Sequence, residues 1–210
     1  MPVRTGSTID PEATRARVLD VAARLFYERS LAAVGMREIA TESNASQLTI
    51  YRYFGSKEGL AAAVVRERSD RIHTWLEASL TDIPPGRDRV VALFDLLTRW
   101  FAEQRFRGCA IVNYAADSRG DQPVTDVTRR HLQRYRELLE RLLTETGVPA
   151  PEPLARQLLL LIEGATVVTQ IDGTGEAGAD ARIAAESLLD ATLSAATTRR
   201  GALPDRPSHE

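Results

Sequence analysis

The sequence predicts an all-α chain of about nine helices, a three-helix head followed by a larger helical body. Three observations carry that expectation. Apolar residues recur at i, i+3 and i+4 through most of the chain, helix-opening and helix-closing residues bracket those runs, and no segment alternates as a strand. With 210 residues and 43% hydrophobic content, the chain can bury a substantial core. The net charge of −2 argues against an indiscriminate nucleic-acid binder, so any affinity for DNA has to come from a local patch. Cys109 is the only cysteine, which excludes an internal disulfide. No apolar run approaches membrane-spanning length and the N-terminus lacks a signal-peptide core, so a cytoplasmic protein without a membrane partner is expected.

Residues 1–9 form a polar arm carrying Arg4, expected to be flexible. Asp10-Pro11-Glu12 opens the first helix, with Asp10 as N-cap and Pro11 at the first helical position. Val18, Val21, Ala22, Leu25 and Phe26 share one face of it, and Leu31 and Val34 continue the same small core. Residues 36–43 read as a short helix with Met36, Ile39 and Ala40 inward. Asn44 suits a left-handed turn and Ser46 caps the helix that follows, which completes a helix-turn-helix. Taking Ile50 as inward, at about 100° per residue Phe54 falls beside it, while Leu48, Thr49, Tyr51 and Arg52 fan outward and Gln47 lies one turn upstream. With Tyr53, these side chains combine an amide, a methyl-bearing hydroxyl, an aliphatic, a guanidinium and two phenols. Such a set can read base edges, touch thymine methyls and hold phosphates. Gln47, Leu48 and Thr49 are the expected base readers. Gly55 then breaks the helix and Ser56 caps the next one, which places Lys57, the only lysine in the chain, beside free backbone N–H groups at an expected phosphate seat.

Ile39-Ala40, Ser46 and the run Ile50-Tyr51-Arg52-Tyr53-Phe54-Gly55-Ser56-Lys57-Glu58-Gly59-Leu60 resemble the DNA-binding signature of the TetR (tetracycline repressor) family of bacterial transcription regulators. The resemblance spans about fifty residues and rests on the Tyr-x-Tyr-Phe-x-x-Lys-x-x-Leu run after a helix-turn-helix. It implies a DNA-binding domain over residues 10–56 and a ligand-binding and dimerisation domain over 57–198. Family members often carry Gly at Ser30 and Asn44, Thr or Ser at Gly35 and Val at Ala45; these departures are tolerable, at a slight expected cost in stability.

The body begins with a long connecting helix from Lys57, with Leu60, Val64, Ile72, Trp75, Leu76 and Leu80 along it, running to residues 82–86. Residues 88–104 are apolar on most sides and should be central. Residues 108–117 read as a shorter helix resembling the Gly-Cys-x-x-x-Asn-x-x-x-acidic element of many TetR-type bodies, here Gly108, Cys109, Asn113 and Asp117. After a turn at 118–123, residues 124–146 form an arginine-rich amphipathic helix whose charged face is expected in solvent. Residues 154–171 form a further apolar helix around Gly164-Ala165, 172–180 a flexible loop, and 181–196 a last helix built on Ile183, Leu188, Leu189 and Leu193. A disordered tail is expected, from Thr197 in the residue pattern and over 199–210 as a domain. The last two helices are the expected homodimer seam. The resemblance implies a four-helix bundle made by two chains, and symmetry then predicts a palindromic double-stranded DNA operator.

Cys109, His131 and Asp117 are the components of a nucleophilic trio, but their positions along the chain carry no geometry. His73, His131 and His209 lack metal-ligand spacing and no Gly-rich phosphate loop is present, so no catalytic residue, metal or cofactor is expected. The leading reading is a ligand-responsive transcription regulator, a repressor released by a small lipophilic effector. Its alternatives are an architectural or activator DNA-binding protein without a ligand, and an enzyme using the body. Candidate residues for the effector pocket are Trp75, Phe94, Leu97, Trp100, Asn113, Tyr114, His131, Tyr135, Leu159 and Glu163.

Overall fold

Asp10 opens α1 (Pro11–Arg29): its carboxylate accepts the Glu12 N–H at 3.0 Å, and Pro11 takes the first position, where no helical N–H bond is forgone. The computed structural model describes residues 10–104, 106–118, 120 and 122–201. The expected arm at 1–9, His209 and residues 202–210 of the expected tail lie outside the described residues. Among the described residues the chain forms nine helices and no strand. After α1 these are α2 (Met36–Ser43), α3 (Gln47–Phe54), α4 (Lys57–Leu80), α5 (Arg87–Phe101), α6 (Ala110–Asp117), α7 (Gln122–Glu145), α8 (Pro151–Asp172) and α9 (Glu176–Gly201). They fall into two compact units, residues 10–71 with Ala110–His131, and Ile72–Cys109 with residues 132–201.

In the first unit, Val18, Leu19, Ala22, Leu25 and Phe26 of α1 close over Ile39 and Ala40 of α2 and Ile50 of α3. Val21 is only half-buried, because the buried stripe of α1 runs through Leu19 instead. The division between units cuts α4 at residue 71, and α6 with the start of α7 groups with α1, α2 and α3. Tyr114 of α6 explains this: it is buried, its ring meets Phe26 edge-on at 6.2 Å, and its hydroxyl donates to the Ala23 carbonyl at 3.4 Å.

Ser30, at the end of α1, adopts φ 82° and ψ 154°, a region that glycine occupies almost alone. Ser30→Gly is expected to raise stability by about 1 kcal/mol, the relief of strain exceeding the extra chain entropy of glycine. A denaturant titration reads this directly, and a midpoint that stays put or falls would show that Ser30 carries no strain.

In the second unit, Val90, Leu93, Phe94, Leu97 and Phe101 of α5 pack against the buried faces of α8 and α9, so the expectation of a central fifth helix holds. It ends at Phe101 rather than 104, with Ala102 as its C-cap. Three other expectations are corrected here. Helix α8 begins at Pro151, because proline is favoured in a first turn. The loop expected over 172–180 shrinks to residues 173–175, since α9 already starts at Glu176. Gly178 permits contact rather than flexibility: a Cβ there would lie 2.8 Å from the Thr98 hydroxyl and 3.0 Å from the Phe101 ring of α5. At the other end α9 runs on through Gly201, with Thr197 and Thr198 hydroxyls donating to the carbonyls of Leu193 and Ser194.

Trp75 and Ile183, both expected inward, face water at 39% and 58% exposure. On α4 the core side is taken by the i, i+4 row Ile72, Leu76, Leu80, and Trp75 lies to one side of it. Helix α8 is apolar on two faces. Leu154, Leu158, Ile162, Ala165 and Thr169 are buried, while Leu160 at 73%, Val167, Val168 and Ile171 at 77% form an outward stripe with exposed Gly164 among them. By length and composition α8 is long and apolar enough to cross a membrane, which corrects the expectation that no run approaches that length. Its other face packs on α5 and α9, as in the core helix of a folded domain.

Candidate nucleic-acid interface

Helix α3 is presented by local chemistry on both sides. Asn44 caps α2 in the left-handed conformation, φ 50° and ψ 41°, and its amide N–H and that of Ala45 satisfy the last carbonyls of α2. Two residues later the Ser46 hydroxyl accepts the Thr49 N–H at 3.0 Å. Buried Ile50 anchors the inward face, and half-buried Phe54 sits under the Arg15 guanidinium of α1 at 5.5 Å.

The opposite face is open. Gln47, Leu48, Tyr51 and Arg52 are exposed, Leu48 at 81%. A wholly exposed leucine adds nothing to the core, and its neighbours are an amide, a phenol and a guanidinium. Thr49 is half-buried, its hydroxyl 2.8 Å from that of Ser46, which leaves its methyl group for a contact. Tyr53 is half-buried, edge-on to Phe54, with the Arg52 guanidinium 5.6 Å above its ring.

Gly55, at φ 76°, turns the chain into α4, where the Ser56 hydroxyl accepts the Gly59 N–H at 3.0 Å. The Glu58 carboxyl is held below its usual range, first by its own backbone N–H and then by the Ser56 hydroxyl. The expected phosphate seat is therefore narrower than the sequence suggests. The amides of Glu58 and Gly59 already have acceptors, and half-buried Lys57 is the cation left there.

These features match known proteins. The family model for bacterial regulatory proteins of the tetR family covers residues 18–64, from the middle of α1 into α4. The HTH-type transcriptional repressor SCO4008 of Streptomyces coelicolor is 29% identical over 179 residues, 81% of this chain and 90% of that protein. An uncharacterised HTH-type transcriptional regulator of Mycobacterium tuberculosis is 26% identical over 188 residues, 90% of each chain. The crystal structure of SCO4454, a TetR-family transcriptional regulator from Streptomyces coelicolor, aligns with a TM-score of 0.79 at 25% identity, over 86% of this chain and 96% of that one. The DNA-binding head belongs to the TetR family. Over most of its length the chain is similar to DNA-binding transcriptional regulators of that family.

Two residues of this head went unassigned in the sequence. Gly59 lies so close to the end of α3 that a Cβ there would be 2.0 Å from the Phe54 carbonyl oxygen. Arg37 is exposed in the first turn of α2. Gly59 stands inside the signature run, so its identity was legible and its reason was not. Arg24 and Arg29 of α1 are not available in the same way, being paired with Glu42 and Glu38 of α2.

The candidate pocket residues divide between the units. In the second, Phe94, Leu97 and Tyr135 lie in the core, with Trp100 and Leu159 packed against it. Tyr135 meets the His73 ring at 4.8 Å, and burial, then Cys109 and Glu163, push its hydroxyl well above the ordinary range. Burial also raises the carboxyl of half-buried Glu163. In the first unit, Asn113 is half-buried, Tyr114 packs on Phe26, and His131 is buried with Nδ1 3.0 Å from the Ser69 hydroxyl. Of the nucleophilic trio, His131 is engaged by Ser69, Asp117 accepts the Leu31 N–H at 3.1 Å, and Cys109 belongs to the second unit. Among the described residues no His, Cys, Asp and Glu cluster could hold a metal ion.

Proposed function

We infer that the protein is a ligand-responsive repressor acting in the cytoplasm: a homodimer joined through α8 and α9 that holds a palindromic duplex operator and is released by a small lipophilic effector. The observation that carries this reading is the outward face of α3, where Leu48 stands open to water between Gln47 and Tyr51. Gln47, Leu48 and Thr49 read bases, while Tyr51, Arg52, Tyr53 and Lys57 hold the sugar-phosphate backbone. The outward apolar stripe of α8 supports the dimer, and the name of the similar Streptomyces protein SCO4008 supports repression over activation. Within the second unit, Trp100, Tyr135, Leu159 and Glu163 are the effector contacts, Glu163 being a half-buried carboxyl with no ion-pair partner among the described residues. The effector acts by linkage. It favours a state of the dimer that fits the operator poorly, and DNA affinity falls by its preference for that state.

Selection of bound sequences from random duplexes, followed by release with candidate small molecules, tests this. A palindrome should emerge; recovery of no preferred sequence would overturn the reading. On the selected duplex, Lys57→Ala should lower the slope of log affinity against log salt by about one unit. Leu48→Ala should instead weaken the selected sequence and spare random DNA. Equal losses on both would remove Leu48 from base readout.

A further inference from the structure

The Gly-Cys-x-x-x-Asn-x-x-x-acidic element ends in a residue that helix stability does not explain. Asp117 closes α6, and a carboxylate in a last turn sits at the negative end of the helix dipole. Its partner lies 86 residues away in sequence: Asp117 Oδ2 accepts the backbone N–H of Leu31 at 3.1 Å. Leu31 begins the turn from α1 to α2, directly after Ser30, whose backbone is in the glycine region. The two successive amides are thus fixed from different sides, Ser30 N–H by the Phe26 carbonyl at 3.0 Å and Leu31 N–H by α6. Buried Tyr114, one turn earlier on α6, grips α1 through the Phe26 ring and the Ala23 carbonyl. Beside this contact a recess of about 160 Å³ is lined by Leu31, Ala32, Lys57, Glu58, Asp117 and Ser118, so the clamp borders the start of α4 as well. At the opening of the same element, Gly108 packs against the Gln170 side chain of α8 in the second unit, so closely that a Cβ would meet it.

We propose that Asp117 is a positioning residue for DNA binding: its carboxylate clamps the α1–α2 turn to the end of α6 and thereby sets the pose of α2 and α3. The inference rests on the DNA-reading role of α3. The turn is the only covalent link from α1 into the helix-turn-helix, and a buried or half-buried N–H that loses its acceptor must find water by moving. An uncharged amide oxygen at the same place can still accept the bond, which separates the acceptor from the charge.

The test uses the full chain and two readouts, hydrogen exchange of individual amides and affinity for the selected duplex. Asp117→Ala should speed Leu31 amide exchange relative to Val18, and weaken duplex binding, each by about tenfold, the loss of one charge-assisted bond. Asp117→Asn should recover most of both. Val127→Ala, a truncation of another buried residue in the same unit, serves as the control for general destabilisation and should leave the Leu31-to-Val18 exchange ratio unchanged. Should Asp117→Ala fail to fold, Asp117→Asn is read beside Asp117→Ser, whose shorter side chain cannot reach and should lose protection. Leu31 protection that survives removal of the carboxylate, or an Asn variant no better than Ala or Ser, overturns the clamp. Failure of the wild-type chain to bind any duplex would remove the DNA reading instead, while the exchange arm still decides whether the clamp exists.

Discussion

Arginine at both Leu160 and Ile171 is expected to convert the protein into a folded monomer whose affinity for its operator is lower by about 100-fold or more. The two side chains lie on the outward stripe of α8, 73% and 77% exposed, so within one chain they contribute little to the core that Leu158, Ile162 and Ala165 build on the other face. Leaving such a stripe in water forgoes roughly 25 cal/mol for every Å² that a second copy could cover. Gly164, with open space beyond its Cα, lets another backbone approach between them. Arginine there puts charge into the seam without touching the fold. The affinity loss follows from valence: one head then binds one half-site, and the second contact is no longer intramolecular. Sedimentation with circular dichroism reads mass and helicity together. A wild-type chain that sediments as a monomer would overturn the dimer, and a double variant that remains dimeric would move the seam elsewhere.

What could be seen in the sequence was what local chemistry decides. Asp10, Pro11, Asn44, Ser46 and Gly55 each act on backbone groups within a few residues, and the structure places α1, α2 and α3 at the bounds those residues imply. Helices expected from periodicity alone were found, but with shifted ends. Gly178 reads as loop because glycine disfavours helix, whereas it is small so that α9 can meet Thr98 and Phe101 of α5. Periodicity also does not say which of two apolar faces is covered; Trp75, Ile183 and Leu160 differ from their buried neighbours only by where other helices lie. The outward set on α3 was legible because it needs one anchor, Ile50, and the helical angle. The bond from Asp117 to Leu31 was not, since nothing near either residue signals the other.

Gly59→Ala is the substitution in the head with the largest expected effect, and its cause is geometric. Ser56 caps α4 by accepting the Gly59 N–H, which brings the Gly59 Cα under the last turn of α3. A methyl group there would lie 2.0 Å from the Phe54 carbonyl oxygen and 3.2 Å from its carbon, and neither atom can rotate away as a side-chain tip could. Either α4 unwinds at its first turn or the end of α3 shifts. Overpacking of this kind costs roughly 1–3 kcal/mol, so the denaturation midpoint should fall. Because Tyr51, Arg52, Tyr53 and Lys57 stand on the two elements forced apart, duplex affinity should fall by about tenfold beyond what the lost stability explains. The comparison that isolates geometry is Ala62→Gly, a change in the same helix that lowers stability without adding an atom. It should lower the midpoint and leave affinity nearly unchanged. If Gly59→Ala keeps both the midpoint and the affinity of the wild-type chain, the close approach of α4 to α3 does not hold the reading helix in place.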